Sequence, residues 1–244
     1  MGDVFDDLAD EYACLGGVLA GLEPHMWALP SAAEGWSVAD VVVHLAQSNE
    51  FAVASAGGEQ DAFVREDGVA LDESMDRLVA AVRATGPEDV LRRWRDSASG
   101  SLEALRSCPP GARLAWAAAP LSPRTLATTR IAEHWAHALD ITVPLGLAYP
   151  DSARLRHIAW LAHRTLPYAL AAAGEQARPV RCELTGPAGE HWLYGDPEAA
   201  SVIRGSAGEF CRVGARRLPA EESSLETEGP YAAVSLRHLR NYAL

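Results

Sequence analysis

Apolar positions recur at helical spacing through most of the first 175 residues. From Val4 to Leu22, Leu8, Tyr12, Leu15, Val18 and Leu19 share one side of a predicted helix. After a loop rich in Pro and Ala comes GWSVADVVVHLAQSNEF, where Ser37 and Asp40 form a capping-box pattern with Asp in place of the usual Glu. The run from Val41 to Ala46 is apolar nearly all round, which predicts a buried helix carrying His44 inside. A Gly57-Gly58 loop and an acidic stretch precede a third predicted helix, Asp72 to Ala84. Pro87 begins a fourth, interrupted around Gly100 and ending before Pro109-Pro110. Ser122-Pro123 caps the next, which Gly146 and Pro150 close. A last apolar-rich helical segment runs from Ser152 to Ala173, and Pro167 predicts a kink or break near Leu166.

Beyond Gly174 the period changes. Val180, Cys182 and Leu184 alternate with polar residues, Gly-Pro-Ala-Gly makes a turn, and Trp192-Leu193-Tyr194 supplies the returning strand of a hairpin. Asp196-Pro197 and Ser206 with Glu209 read as two helix starts, and the tail from Tyr231 reads as a strand or a helix. The pattern predicts an α+β protein, with an all-α bundle over residues 1–175 and a smaller α/β domain over 176–244.

Composition narrows the chemistry. The net charge of −12 argues against a nucleic-acid partner and gives no reason to propose an anionic membrane surface. No apolar run approaches the ~20 residues of a membrane span. The acidic start, Met-Gly-Asp-Val-Phe-Asp-Asp, is unlike a secretory signal, so a cytoplasmic protein is expected. All 21 basic residues are arginine, which removes lysine Schiff-base and pyridoxal chemistry and the P-loop. Cys14, Cys108, Cys182 and Cys211 are scattered and read as reduced structural thiols. The chain has no G-x-S-x-G, G-x-G-x-x-G or H-E-x-x-H.

The densest ionisable stretch is RIAEHWAHALD, residues 130–140. On a helix, Arg130, Glu133, His137 and Asp140 share one face, while Ile131, Trp135, Ala138 and Leu139 lie mostly away from it. Such a helix is either amphipathic with a solvated polar face or part of a metal site. His44 bears on the choice, because a histidine in an apolar helix needs partners for its ring nitrogens. Two imidazoles and a carboxylate would leave a fourth metal position open. A hydrogen bond from His44 to a carbonyl or carboxylate is the plainer alternative.

GWSVADVVVHLAQ and, about ninety residues later, RIAEHWAHALDITVPLG together resemble the DinB-like superfamily, in its mycothiol-dependent maleylpyruvate isomerase branch. RCELTGPAGEHWLYGDPEAA and GSAGEFCRVGARR are similar to that family's C-terminal domain. The resemblance implies a DinB-like four-helix bundle holding a divalent metal, usually zinc, through His44, Glu133 and His137. It also implies mycothiol, a low-molecular-weight thiol, as cosubstrate, with a small-molecule substrate. Arg130 and Asp140 are then candidates to orient the ligands, and Arg216 and Arg217 to bind a substrate carboxylate. His25, His134, His157, His163, His191 and His238 receive no role. The expected activity is that of a metal-dependent, thiol-using transferase or isomerase of a small electrophile. A metal-water hydrolase or lyase is one alternative, and a non-catalytic metal-containing sensor is another. Nothing in the sequence specifies an oligomeric state.

Overall fold

The computed structural model describes residues 2–59, 71–83, 85–116 and 119–242. They fall into two compact units, residues 1–149 and 150–244. The first unit contains α1 (Val4–Ala20), α2 (Val38–Ala56), α3 (Leu71–Ala80), α4 (Pro87–Ser107) and α5 (Pro123–Thr142). The long helices α1, α2, α4 and α5 pack side by side as a four-helix bundle, with α3 against α2. Leu8, Leu15 and Leu19 of α1, Val41, Val42 and Leu45 of α2, Trp94 and Leu105 of α4, and Leu126, Ile131 and Ile141 of α5 fill its core.

The helix starts follow from their caps. Asp3 accepts from the Phe5 N–H at 2.9 Å at α1. Ser37 and Asp40 close a reciprocal capping box at α2. Ser122 accepts from the Thr125 N–H at α5, with Pro123 in the first turn. Each cap is worth about 1 kcal/mol, because it satisfies N–H groups that the helix itself leaves unpaired.

Several expectations are corrected. The helix α4 runs unbroken through Gly100; the ~1 kcal/mol penalty of one glycine is small beside the packing of α4 on α2. The helix α3 ends at Ala80, and Ala84, the expected end, lies outside the described residues, as does most of the acidic stretch after Gly58. The division expected after residue 175 falls at Tyr149/Pro150, because α6 (Leu155–Ala172) packs with the elements that follow it. Pro167 does not break α6, since the ring removes a single backbone link while Leu166 and Leu170 on either side are buried.

The second unit adds β1 (Arg181–Thr185), β2 (His191–Tyr194), β3 (Val202–Ser206), α7 (Ala207–Gly214), β4 (Glu226–Glu228) and α8 (Ala232–His238). The sheet order is β2-β1-β3-β4, with β1 and β3 parallel and the other pairs antiparallel. The hairpin β1–β2 takes the predicted place. Asp196-Pro197 starts no helix: Asp196 accepts from the Glu198 N–H at 2.9 Å in a turn that leads into β3. Val202 and Ile203 are buried in that strand, a place suited to β-branched side chains. Ser206 caps α7 without a side-chain hydrogen bond, and the Glu209 carboxylate, expected to return to the cap, accepts instead from the Ser224 N–H and hydroxyl at 2.9 and 2.8 Å. The tail after Tyr231 forms α8, and its last two residues lie outside the described ones. No helix among the described residues is long and apolar enough to cross a membrane.

Candidate metal centre

The helix α5 is buried on nearly every side, so RIAEHWAHALD is not a solvated face. Arg130 and Asp140 are only 3% and 1% exposed. His44 of α2 faces Glu133 and His137 of α5, and one ligand atom from each lies within 4.8 Å of the others. His44 Nε2 stands 3.7 Å from Glu133 Oε2, and His137 Nε2 stands 3.5 Å from the same oxygen. The imidazoles meet edge-to-face, with centroids 4.9 Å apart.

Electrostatics give this arrangement a direction. Neutral imidazole nitrogens and a carboxylate oxygen all present lone pairs, so they converge stably only around a proton or a cation. Bonds of 2.0–2.2 Å to a tetrahedral ion imply ligand separations of roughly 3.3–3.6 Å, close to the distances at which the two imidazoles stand from Glu133. The donor set of two imidazoles and one carboxylate suits zinc and related divalent ions.

Protonation is divided unevenly among the three. Burial pushes the His44 pKa down against the opposing effect of Glu133, which favours a neutral ring able to act as a ligand. Burial also resists charge on Glu133 and His137, but there the partners win. His137 and His44, with the charge of Arg130, hold the Glu133 carboxyl well below the usual range. Asp140 and Glu133 raise the His137 pKa. His137 Nδ1 donates to Asp140 Oδ2 at 2.8 Å, which turns Nε2 toward Glu133. No hydrogen bond joins Arg130 to either candidate ligand of α5 among the described residues.

Trp36 walls the cluster, with its ring centroid 5.1 Å from His44 and 6.4 Å from His137, stacked on the latter. Its placement is local in origin. Gly35 takes a φ of 78°, and the Ser31 N–H and hydroxyl both donate to the Trp36 carbonyl at 2.9 Å. The Ala32 N–H donates to the Asp140 carbonyl at 2.9 Å, and Trp36 Nε1 donates to Asp76 of α3 at 2.6 Å. Glu133 keeps 30% of its side chain exposed, so the cluster can be reached from outside.

His134, to which the sequence assigned nothing, joins a second cluster deeper in the bundle. Its Nδ1–H donates to the Arg130 carbonyl at 2.9 Å, and its Nε2 accepts from Trp94 Nε1 at 3.3 Å and from Asn49 Nδ2 at 3.4 Å. Tyr12 donates to Asn49 Oδ1 at 3.0 Å and lies 2.9 Å from Ser101 Oγ. One polar network thus ties α1, α2, α4 and α5 together. The signal that could have found it was a polar residue on each helix at a core position. Arg216 and Arg217 follow α7 on the surface of the second unit, where each donates to a backbone carbonyl.

Residues 8–142 match the family described as the mycothiol maleylpyruvate isomerase N-terminal domain. Uncharacterized proteins from two strains of Mycobacterium tuberculosis, CDC 1551 / Oshkosh and H37Rv, are each 34% identical over 214 residues, 86% of this chain and 83% of theirs. Crystal structures of the mycothiol-dependent maleylpyruvate isomerase and of a mutant of it superpose with a TM-score of 0.63. They cover 93% of this chain and 95% of theirs, at 15% and 14% identity. At that identity the likeness concerns the fold.

Proposed function

This chain belongs to the mycothiol maleylpyruvate isomerase N-terminal domain family, and on that premise we propose that it is a thiol-dependent enzyme that isomerises a small electrophile, with mycothiol as cosubstrate. The observation that carries this reading is the convergence of His44, Glu133 and His137 on one point that solvent can reach. In this reading the three residues hold a divalent ion, with zinc suited to the donor set. Bound there, the ion supplies a Lewis-acidic position that favours thiolate over thiol near neutral pH.

The protein's own groups set up the rest. Asp140 fixes the His137 ring, so that Nε2 is presented without a rotational search. Trp36 shields one side from water. A thiolate adding to an activated double bond forms an S–C bond as the π pair moves onto the conjugated carbonyl. Rotation about the resulting single bond, then return of the pair and departure of the thiolate, gives the other geometric isomer with no net change in composition. Protonation of the adduct at the carbon beside the carbonyl, before the thiolate departs, leaves the S–C bond in place and gives an S-transferase, the second outcome of the same site. Arg216 and Arg217 are retained as candidates for a substrate carboxylate. The four free cysteines fit a reducing cytoplasm.

The test is elemental analysis of the purified chain beside a His44→Ala, His137→Ala double variant, followed by calorimetric titration with mycothiol. About one divalent ion per chain, lost in the double variant, with saturable thiol binding, is expected. Absence of metal after reconstitution rejects the site; metal without thiol binding rejects the thiol chemistry.

A further inference from the structure

The helix α3 carries none of the cluster's candidate ligands, yet its hydrogen bonds end on the stretch of chain around one of them. Trp36 Nε1 donates to Asp76 Oδ1 at 2.6 Å, and Gln47 Nε2 donates to the Leu78 carbonyl at 2.9 Å. Just past α3, Arg83 Nε donates to Asp40 Oδ1 at 3.1 Å and its Nη2 to the Gly35 carbonyl at 3.2 Å. Gly35, Trp36 and Asp40 precede His44 and Gln47 follows it. Residues 76–83 therefore strap down the loop that bears Trp36 and the first turns of α2.

The strap is held lightly. Val79 is fully buried, but Asp76, Arg77, Leu78 and Ala80 are exposed, and Ser74 and Met75 are half-buried. A polar link between exposed groups contributes little, and a helix of ten residues does not persist in water without packing. The strap can therefore leave α2 while the four-helix bundle, with its rows of buried side chains, stays folded. Its departure leaves the Trp36 indole N–H without Asp76. Ser31 ties the Trp36 carbonyl and not the ring. The indole is then free to swing from its place 5.1 Å from the His44 ring and 6.4 Å from that of His137.

We propose that residues 76–83 gate the cluster: bound, the strap fixes the Trp36 ring over His44 and His137, and released, it uncovers both imidazoles. Asp76 is a positioning residue that acts through Trp36. While the strap is bound, the cluster is reached past the exposed part of Glu133. The gate acts whether a proton or an ion lies between the three side chains, so it stands independently of the functional reading above.

The experiment applies diethyl pyrocarbonate, which acylates accessible imidazoles, to the full chelator-stripped chain and follows each histidine by peptide mass. His25, with 66% of its side chain exposed, and His134, sealed in the bundle, are the references. Asp76→Ala and Arg83→Ala are each expected to speed modification of His44 and His137 roughly threefold to tenfold, the factor that one exposed charge-assisted hydrogen bond is worth. His134 should not change. Asp76→Asn, whose amide oxygen still accepts from the indole, should stay near the wild-type rate. An unchanged rate in either alanine variant, an equal rise at His134, or an Asp76→Asn as fast as Asp76→Ala would overturn the proposal. If the alanine variants do not fold, hydrogen exchange of the unaltered chain decides. The amides of residues 76–83 and the Trp36 indole N–H should then exchange together, well before the amides of α2 and α5; exchange of either group only with the bundle rejects the gate. Because the chain is stripped of metal, this result is separate from the metal test of the proposed function.

Discussion

His134 and His137 lie three residues apart on α5, and both are withdrawn from water, yet they sit in environments of opposite character. Around His134, every ring nitrogen meets a neutral partner: a carbonyl, an indole N–H and an amide. Burial there drives the pKa down to about 3. Around His137 the partners are two carboxylates, which raise the pKa against the same burial. The difference teaches that burial does not decide what a histidine does. The charge of the partners decides, making one ring a structural acceptor and raising the proton affinity of the other.

Acid separates the two clusters most strongly. Unfolding frees His134 to protonate near pH 6.5, whereas the folded ring resists until about pH 3. Its contribution is therefore intact above pH 6.5 and is lost as pH falls toward 3, on the order of 5 kcal/mol in all. Urea unfolding from pH 7 to pH 4 should show the decline, and His134→Gln should flatten it. At neutral pH, His134→Ala should cost about 3 kcal/mol, because it opens a cavity and strands the Trp94 N–H. Metal content of the folded variant should not change; if it falls while the helical signal is kept, the clusters are not separate.

The outer cluster is probed by its supports. Asp140→Asn should weaken metal binding roughly tenfold to a hundredfold with little effect on melting of the stripped protein. A competition titration with a coloured chelator measures this. In the wild type, affinity should drop about tenfold per pH unit below the raised His137 pKa, since the metal must displace that proton. A flat pH profile would mean that His137 is not a ligand. The smallest effect falls where the clusters share scaffolding. Ser37→Ala removes the cap of α2, which carries both His44 and Asn49, and should cost about 1 kcal/mol in denaturant unfolding.

Much of the bundle was legible in the sequence because its determinants are local. The Ser37 and Ser122 caps, the apolar periodicity and the β1–β2 hairpin depend on residues within a few positions of one another. The errors share a physical cause. β3 is a short strand with a glycine at Gly205, and its partners β1 and β4 are distant in sequence. The Glu209 carboxylate was claimed by Ser224, fifteen residues on, and not by its own cap. The boundary moved to Tyr149 because α6 buries itself against elements that follow it.

The same division runs through the site. By itself the sequence determined that Arg130, Glu133, His137 and Asp140 share a helix face and that His44 lies in an apolar helix, because spacing along one helix fixes direction. Only the tertiary structure decided that this face is buried, that His44 and Glu133 come within 3.7 Å, that Trp36 stacks over His137, and that His134 turns to a different set of partners. Those outcomes depend on how α1, α2, α4 and α5 pack, and packing sums many weak contacts between residues far apart in the chain.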